Sequence, residues 1–401
     1  MRRPSALRHS PWLAATALLV ACAGASDAPD AVTLVDLPAP AAELAEPFTA
    51  IAGATELSTG ELVVVDGSDA EVSVVDFAAG SRAVLGKRGA GPGEYTAPAG
   101  VLRLAGDTIV VLDIAGGGGG GSARIVRFNP DRTPGATGNM MLFNMLDTSV
   151  VQGTMFAGAG GEVYSTAVKL RVGPSGPMPS DTMHVVRFAL SATPTFTTLG
   201  HIRTPQTGER EQRIEGSAIT IKAPFPGLVT ADAWTAFPDG RVAIIRGEGY
   251  TVEFLSPDGT ASPPVAIPYD RIPVTAADQE AELASTRQQL ADAMVMIRRS
   301  LPPGVTLDIE VVPPPAWPTE YPPVTAIVAY PDKAGNVWVR RATQALVDRE
   351  QWDVIGPTGA LVARWRLPQA VRLVAVGDGA VYTTRADEDD LRYLQRVVLP
   401  R

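Results

Sequence analysis

Cysteine is almost missing from this chain. Cys22 is the only one in 401 residues, so no disulfide can form within the molecule, and there is neither a cysteine metal site nor a cysteine nucleophile. Histidine is nearly as scarce. Of the three, His9 lies close to the N-terminus, while His184 and His201 stand alone, with no acidic or cysteine partner at metal-ligand spacing. Both read as solvated or strand-facing side chains. No H-x-x-x-H, G-x-S-x-G or P-loop pattern occurs, so the chemistries those motifs carry find no support. Lysine is limited to Lys87, Lys169, Lys222 and Lys333, and arginine supplies the remaining cations. Basic charge is in deficit, with 34 Lys and Arg against 43 Asp and Glu and a formal net charge of -9. A chain of this sign is repelled by phosphate backbones, which argues against a nucleic-acid partner.

What is present begins with an export address. Arg2, Arg3 and Arg8 form a basic region, followed by the short apolar run Trp12 to Val20. That run is too short for a membrane span and reads, over residues 1–21, as a signal peptide. The arginine pair lacks the rest of a twin-arginine pattern. Leu19-Val20-Ala21-Cys22 resembles a bacterial lipobox. The resemblance implies cleavage before Cys22, lipid attachment to it, and a membrane as partner. Ala23 and Gly24 follow with no aspartate, which by resemblance to lipoprotein sorting patterns favours the outer membrane over the inner. Residues 22–30 then read as a small polar tether in the bacterial cell envelope. Cleavage removes three arginines and no acid, leaving 31 basic against 43 acidic side chains, a net charge of -12.

From residue 48 onward the pattern is strand-like. LVVVD (62–66), VSVVDF (72–77), TIVVLDI (108–114), VAIIR (242–246) and VWVRR (337–341) are rich in β-branched residues. Asp66-Gly67, Pro238-Asp239-Gly240, Pro257-Asp258-Gly259, Pro357-Thr358-Gly359 and Asp378-Gly379 supply turns between them. The glycines that open comparable units are Gly60, Gly106, Gly161, Gly240, Gly335 and Gly379, at intervals of 46, 55, 79, 95 and 44. The short intervals match the roughly 40–50 residues of a propeller blade, and the long ones carry insertions. The spacing therefore predicts an all-β chain, with a six-bladed β-propeller over 31–401. Its last unit shows only three strands, at 372–376, 380–385 and 393–399. The spare strand-like segment AVTLVDL (31–37) is expected to pair there and close the ring, which removes an exposed sheet edge.

Gly91-Pro92-Gly93-Glu94-Tyr95, then Pro98 and a strand ending VLD, resembles the blade boundary of NHL-type six-bladed propellers. Asp332, Gly335 and the following Asn336-Val337-Trp338-Val339 resemble another blade marker. The resemblance spans most of residues 32–401 and implies a propeller, departing from the pattern in the long insertions of units three, four and five.

GKRGAGPGEY (86–95) is glycine-rich but is no phosphate cradle. Its lysine comes first, no helix follows, and Pro92 removes a backbone N–H. It reads as a connection between units one and two, whose glycines allow positive φ. Such connections face a central funnel, so Arg88, Glu94 and Tyr95, with Lys87 beside them, are candidate ligand contacts. The glycines at 116–121 read as a hairpin tip between two strands. Residues 275–323 form an insertion between units four and five. Its first part, 275–301, predicts a helix with Thr275 and Asp278 as a capping pair, and with Leu283, Leu290, Met294, Ile297 and Leu301 on one stripe. Pro302-Pro303-Gly304 stops it. Residues 310–323 carry six prolines in fourteen positions and favour extended chain. Trp317 and Tyr321 plug the propeller surface or stack on a ligand. Trp317 beside Arg340 or Arg341 would mark a binding site.

Asp66, Asp76 and Asp113 end strands, where aspartate makes turns. Asp387, Glu388, Asp389 and Asp390 read as a solvated hairpin turn, with a calcium site as the alternative. No cofactor is expected beyond that calcium alternative. The function this points to is a lipid-anchored binding or protein-interaction module, whose partner is an envelope protein or a small ligand. One alternative is a hydrolase or lactonase with a metal in the channel, which requires acidic and amide side chains to converge at a channel mouth. The other is a structural subunit of an envelope complex, docking through 275–323.

Overall fold

The β-branched runs become short, buried strands. Leu62–Asp66 is buried at all five positions, and Val337–Arg341 at four of five. A computed structural model describes residues 32–400 except 115–120, 145–148, 174–175, 204–210, 226, 301–303, 326–327, 346 and 348. The signal peptide, Cys22, the tether, most of the glycine run at 116–121, Leu301 and Pro302-Pro303 lie outside the described residues.

Six antiparallel sheets follow one another along the chain. The first holds Ile51–Glu56, Leu62–Asp66, Glu71–Asp76 and Ser81–Val84, and the second Pro98–Arg103, Ile109–Asp113, Ser122–Phe128 and Pro134–Met141. The third is larger, built around Ser149–Ala157, Glu162–Gly173, Gly176–Ala189 and Thr197–Arg203. The fourth holds Ala233–Ala236, Val242–Arg246, Thr251–Leu255 and Val265–Ala266. The fifth holds Tyr330–Pro331, Val337–Arg341, Gln351–Ile355 and Leu361–Arg366, and the sixth Val371–Val376, Ala380–Ala386 and Arg392–Val398.

The first strand of each sheet touches the first strand of the next, and Val371–Val376 touches Ile51–Glu56, so the contacts close into a ring. The apolar clusters repeat that order. Val63 and Val65 pack with Ile109 and Val111 between sheets one and two, while Leu62 and Val64 pack with Tyr382 and Leu394 between sheets one and six. Side chains alternate across each strand, so each sheet feeds two clusters. This is a β-propeller, and its core is a set of wedges between sheets. Full burial of one such Val or Leu contributes about 1.5–3 kcal/mol.

The glycine repeat marks a repeated turn. Gly60, Gly106, Gly161, Gly240, Gly335 and Gly379 all have positive φ, from 64° to 89°, and each precedes the second strand of its sheet. A side chain is strained in that conformation, which is why glycine recurs there.

The N-terminal segment does complete the last sheet, but not through 31–37. Ala42–Glu43 pairs antiparallel with Arg392–Val398, supported by Ala41 N–H to Arg396 O (2.8 Å) and Leu44 N–H to Leu394 O (2.9 Å). Leu34–Asp36 instead adds parallel to Leu361–Arg366, at the outer edge of sheet five. Pro38 and Pro40 lie between the two pairings and lack the N–H that a continuous strand needs.

The insertion contains the expected helix, α1 (Ala276–Ser300). The Thr275 hydroxyl accepts the Asp278 N–H (3.2 Å), and the Asp278 carboxylate accepts the Thr275 N–H (2.9 Å). Met294 is buried, and Arg287 donates to the Val311 carbonyl (3.1 Å). The strand Thr306–Val312 pairs parallel with Ala218–Pro224, itself hairpinned to Glu211–Glu215. The insertion is therefore composite, drawing on a segment that precedes sheet four.

Candidate functional site

The loop at 86–95 is a packed joint. Lys87–Arg88 and Glu94–Tyr95 pair parallel, and a side chain at Gly86 would come within 2.4 Å of the Gly93 carbonyl oxygen. Tyr95 is 1% exposed. Its hydroxyl donates to the Leu85 carbonyl (2.7 Å) and accepts the Val72 N–H (2.9 Å), and burial pushes its pKa up. This corrects the expectation that Tyr95 faces a ligand: it joins the core between sheets one and two. Glu94 turns inward to its own loop. It accepts the Gly91 N–H (2.8 Å) and pairs with Lys87 (3.2 Å), and those two contacts, in that order, hold its pKa below the usual range. Arg124, nearly buried, donates to the carbonyls of Gly89 (3.2 Å) and Gly91 (2.5 Å). Only Arg88 of the three candidates is exposed.

Trp317 is half-buried and packs against Phe225, with ring centroids 5.1 Å apart. It does not line the cavity that Arg340 and Arg341 share. Tyr321 is the aromatic of that stretch that reaches them. It is 5% exposed and accepts the Ala345 N–H (3.0 Å), and burial pushes its pKa up to about 12.

Arg340 and Arg341 line a cavity of about 510 Å³ with Tyr321, Arg349, Glu350 and Arg372. Its walls come from the ends of strands in sheets five and six, the chain entering sheet four at Gly227 to Ala231, and α1 through Glu282 and Ser285. A volume of this size suits a small ligand. Arg341 is 8% exposed and pairs with Asp353 (3.1 Å), and its guanidinium lies over Tyr250 (4.8 Å) and Tyr269 (5.2 Å). The Tyr250 hydroxyl donates to Asp353 (2.8 Å), and burial, then the Asp353 charge, pushes its pKa well up. Arg340 pairs with Glu350 (3.2 Å), and Arg372 approaches the same carboxylate (3.8 Å). Glu350 also accepts from the Trp352 indole N–H (3.1 Å) and the Leu373 N–H (3.1 Å). Glu282 has its pKa raised by burial first and by Asp278 second. Sequence reasoning missed Arg349, Arg372 and Glu350, because three separate elements meet here and no local pattern joins them.

A second cavity, about 590 Å³, runs along the ring axis. Small and apolar residues of the first strands form most of its wall, among them Ala52, Ala54, Val101, Ala236 and Val376. Polar groups gather at one mouth. There Glu56 accepts from the Tyr382 hydroxyl (2.8 Å) and the Asp378 N–H (2.7 Å), and Lys333 pairs with Asp378 (3.0 Å). Asp332 accepts from the Asn336 side chain (2.8 Å) and the Trp338 indole (3.2 Å). Glu56 and Asp378 both face the Lys333 ammonium (3.9 and 3.0 Å), and Glu56 and Asp332 are engaged by neighbouring donors.

His184 and His201, read as isolated, are cross-strand partners in sheet three, with ring centroids 4.8 Å apart. Strand pairing joined them across seventeen residues. Among the described residues, no group of three or more His, Cys, Asp or Glu is placed to hold a metal ion. Asp387 to Asp390 form the expected turn, with Asp387 accepting the Asp389 and Leu391 N–H groups (3.0 and 2.9 Å). Cys22 lies outside the described residues.

No protein-family model matches this sequence, and no curated protein matches it either. Solved structures with a similar course include a luciferin-regenerating enzyme, at 12% identity over 90% of this chain and 95% of that one, with a TM-score of 0.42. Regucalcin, a calcium-binding protein from Agrobacterium tumefaciens, is 11% identical over 92% and 98%, with a TM-score of 0.41. Virginiamycin B lyase from Staphylococcus aureus is 10% identical over 89% and 98%, with a TM-score of 0.39. At these values none of them bears on ligand or activity.

Proposed function

We propose that this chain is a lipid-anchored, six-bladed β-propeller of the bacterial cell envelope, and that it binds a small ligand in the cavity between sheets four to six and α1. The observation that carries the reading is that cavity itself: about 510 Å³, bordered by four arginines, and roofed in part by an insertion the ring does not need for closure. The address rests on Leu19-Val20-Ala21-Cys22 and the basic, apolar leader before it. Binding is favoured over catalysis because the carboxylates at the channel mouth are already engaged by neighbouring donors.

The test uses the full chain, purified in detergent and incubated with a small-molecule extract of the envelope. Native mass spectrometry is expected to show a retained adduct. Thr343→Trp, which places bulk in the cavity lining, should abolish it. An adduct that survives Thr343→Trp, or no adduct at all, overturns the reading. Enzyme-like turnover of a sugar lactone by the wild-type chain would replace binding with hydrolysis.

A further inference from the structure

We infer that the outer edge shared by sheets four and five lies against the bilayer, with Leu34, Val35, Val265 and Val362 as its lipid-facing side chains. The inference rests on lipid attachment at Cys22 and says which side of the ring that attachment turns to the membrane. The four side chains are exposed, at 38%, 49%, 37% and 52% in that order. Scattered exposed apolar residues are ordinary, but a contiguous group marks a surface that meets something apolar. These four are contiguous. A side chain added at Gly359 would come within 2.7 Å of the Val265 Cβ, and one at Gly356 within 3.1 Å of a Val362 methyl, so a single turn of sheet five touches both. Arg364, two residues beyond Val362, donates to the Pro268 carbonyl, just past the edge strand Val265–Ala266. Leu34 and Val35 pair in register with Arg364 and Trp365.

Charge is missing from the same edge. Residues 31–35, 259–269 and 354–363 hold no Asp, Glu, Lys or Arg, in a chain that is 19% charged. Arg364, at the margin, is occupied by Asp353 (3.2 Å) and by the Pro268 carbonyl. A molecule of net charge -9 approaches anionic headgroups at least cost through an uncharged face. The course of the chain favours the same face. Leu34 follows Cys22 by twelve residues, and a stretch of that length reaches at most about 40 Å when fully extended. The chain from the lipid site therefore runs directly into the strand that carries two of the four side chains. A second copy of the protein is the other occupant that an open sheet edge invites. Pro263, Pro264 and Pro268 flank Val265–Ala266 and lack the N–H that strand addition needs, which favours a fluid apolar surface over a pairing strand. Four side chains are too few to hold the ring alone: the lipid holds it, and the edge sets its orientation.

The full-length protein is reconstituted into phosphatidylethanolamine–phosphatidylglycerol vesicles that contain a brominated phosphatidylcholine. A lipid-modified Cys22 leaves no free thiol, so an environment-sensitive fluorophore attaches only to an introduced cysteine, Val362→Cys or, as the control, Val84→Cys. Val84 is 58% exposed at the outer edge of sheet one, which borders neither sheet four nor sheet five. Emission from position 362 should shift to the blue, resist aqueous iodide, and lose at least about twofold more intensity to the brominated lipid than emission from position 84. Adding Val265→Asp to the chain labelled at 362 should restore about half of the lost intensity while flotation with the vesicles is unchanged. Val84, Val265 and Val362 are all exposed, so each variant should keep the wild-type melting temperature. Equal loss at the two positions, in a protein that floats with the vesicles, overturns the inference and leaves the lipid anchor standing. Protection of 362 from iodide without loss to the brominated lipid overturns it in favour of a second copy. A protein that does not float, or a wild-type chain that takes up the label at Cys22, rejects the anchor, and the inference falls with it.

Discussion

Four second strands end at one structural position with different residues: Asp66, Asp113, Arg246 and Arg341. The two aspartates do the same work. Asp66 accepts the Thr49 and Ala50 N–H groups (2.7 and 3.2 Å), and Asp113 accepts those of Thr96 and Ala97 (3.0 and 2.8 Å). Each carboxylate satisfies backbone donors where the first strand of its sheet begins. The arginines need an acid brought from elsewhere, Asp232 for Arg246 (2.8 Å) and Asp353 for Arg341 (3.1 Å). Asp113→Ala should therefore be severe. It strands two amides and leaves Arg124 buried without its carboxylate, a loss of about 3–5 kcal/mol that urea unfolding would register. Tyr95→Phe should cost about 1–3 kcal/mol by orphaning the Val72 N–H and the Leu85 carbonyl. Arg88→Ala, on the exposed side of the same loop, should stay within about 0.5 kcal/mol. The sequence placed these aspartates at strand ends. It could not reveal that Tyr95 is buried, because its covering partners Phe128 and Leu85 come from different sheets.

Elements were legible where the signal was local. The helix predicted over 275–301 is observed as Ala276–Ser300, since its cap and its stop both lie within a turn of the ends. The hairpin at 211–224 was not read, because Glu211–Glu215 is polar and exposed throughout and gains its place by pairing with a strand that joins chain some ninety residues on. Ring closure was anticipated, yet the segment was displaced, because LVD outscores AE on hydrophobic pattern, while the observed clasp adds buried Leu44 and Phe48 and the Glu43 carboxylate to its backbone pairing. That carboxylate accepts Arg385 through Nε (2.8 Å) and Nη2 (2.6 Å), and Gln395 (2.7 Å). The Arg385 hydrogen bond holds its pKa below the usual glutamate range. A depressed folded pKa stabilises the closed form above the unfolded value, about 4.3, and that stabilisation disappears as pH falls through the folded value. Glu43→Gln should thus melt below wild type at neutral pH, with the two melting temperatures converging as pH falls through the folded value, which lies below the unfolded one. A gap that persists in acid would show that Glu43 acts through packing alone.

At the scale of the whole molecule, the described ring can be considered apart from the expected address. The wedge cores and the clasp of 41–48 on Arg392–Val398 are made among residues that follow the expected tether. Among the described residues no helix is long and apolar enough to cross a membrane. If attachment runs through lipid on Cys22, one sulfur controls location while the ring controls stability. Cys22→Ser should then move the protein from the membrane fraction to the soluble fraction, and its melting temperature should match that of the wild-type ring. Retention after an alkaline carbonate wash would refute the lipid anchor and shift attention to a surface of the propeller itself. Release accompanied by a lower melting temperature would mean that the tether contributes to closure as well as to anchoring. A second variant separates those cases: Glu43→Gln weakens the clasp but leaves Cys22 intact, so it should lower the melting temperature and stay with the membrane. Opposite behaviour of the two variants is what a ring that carries its own closure, tied on by a separate thiol, requires.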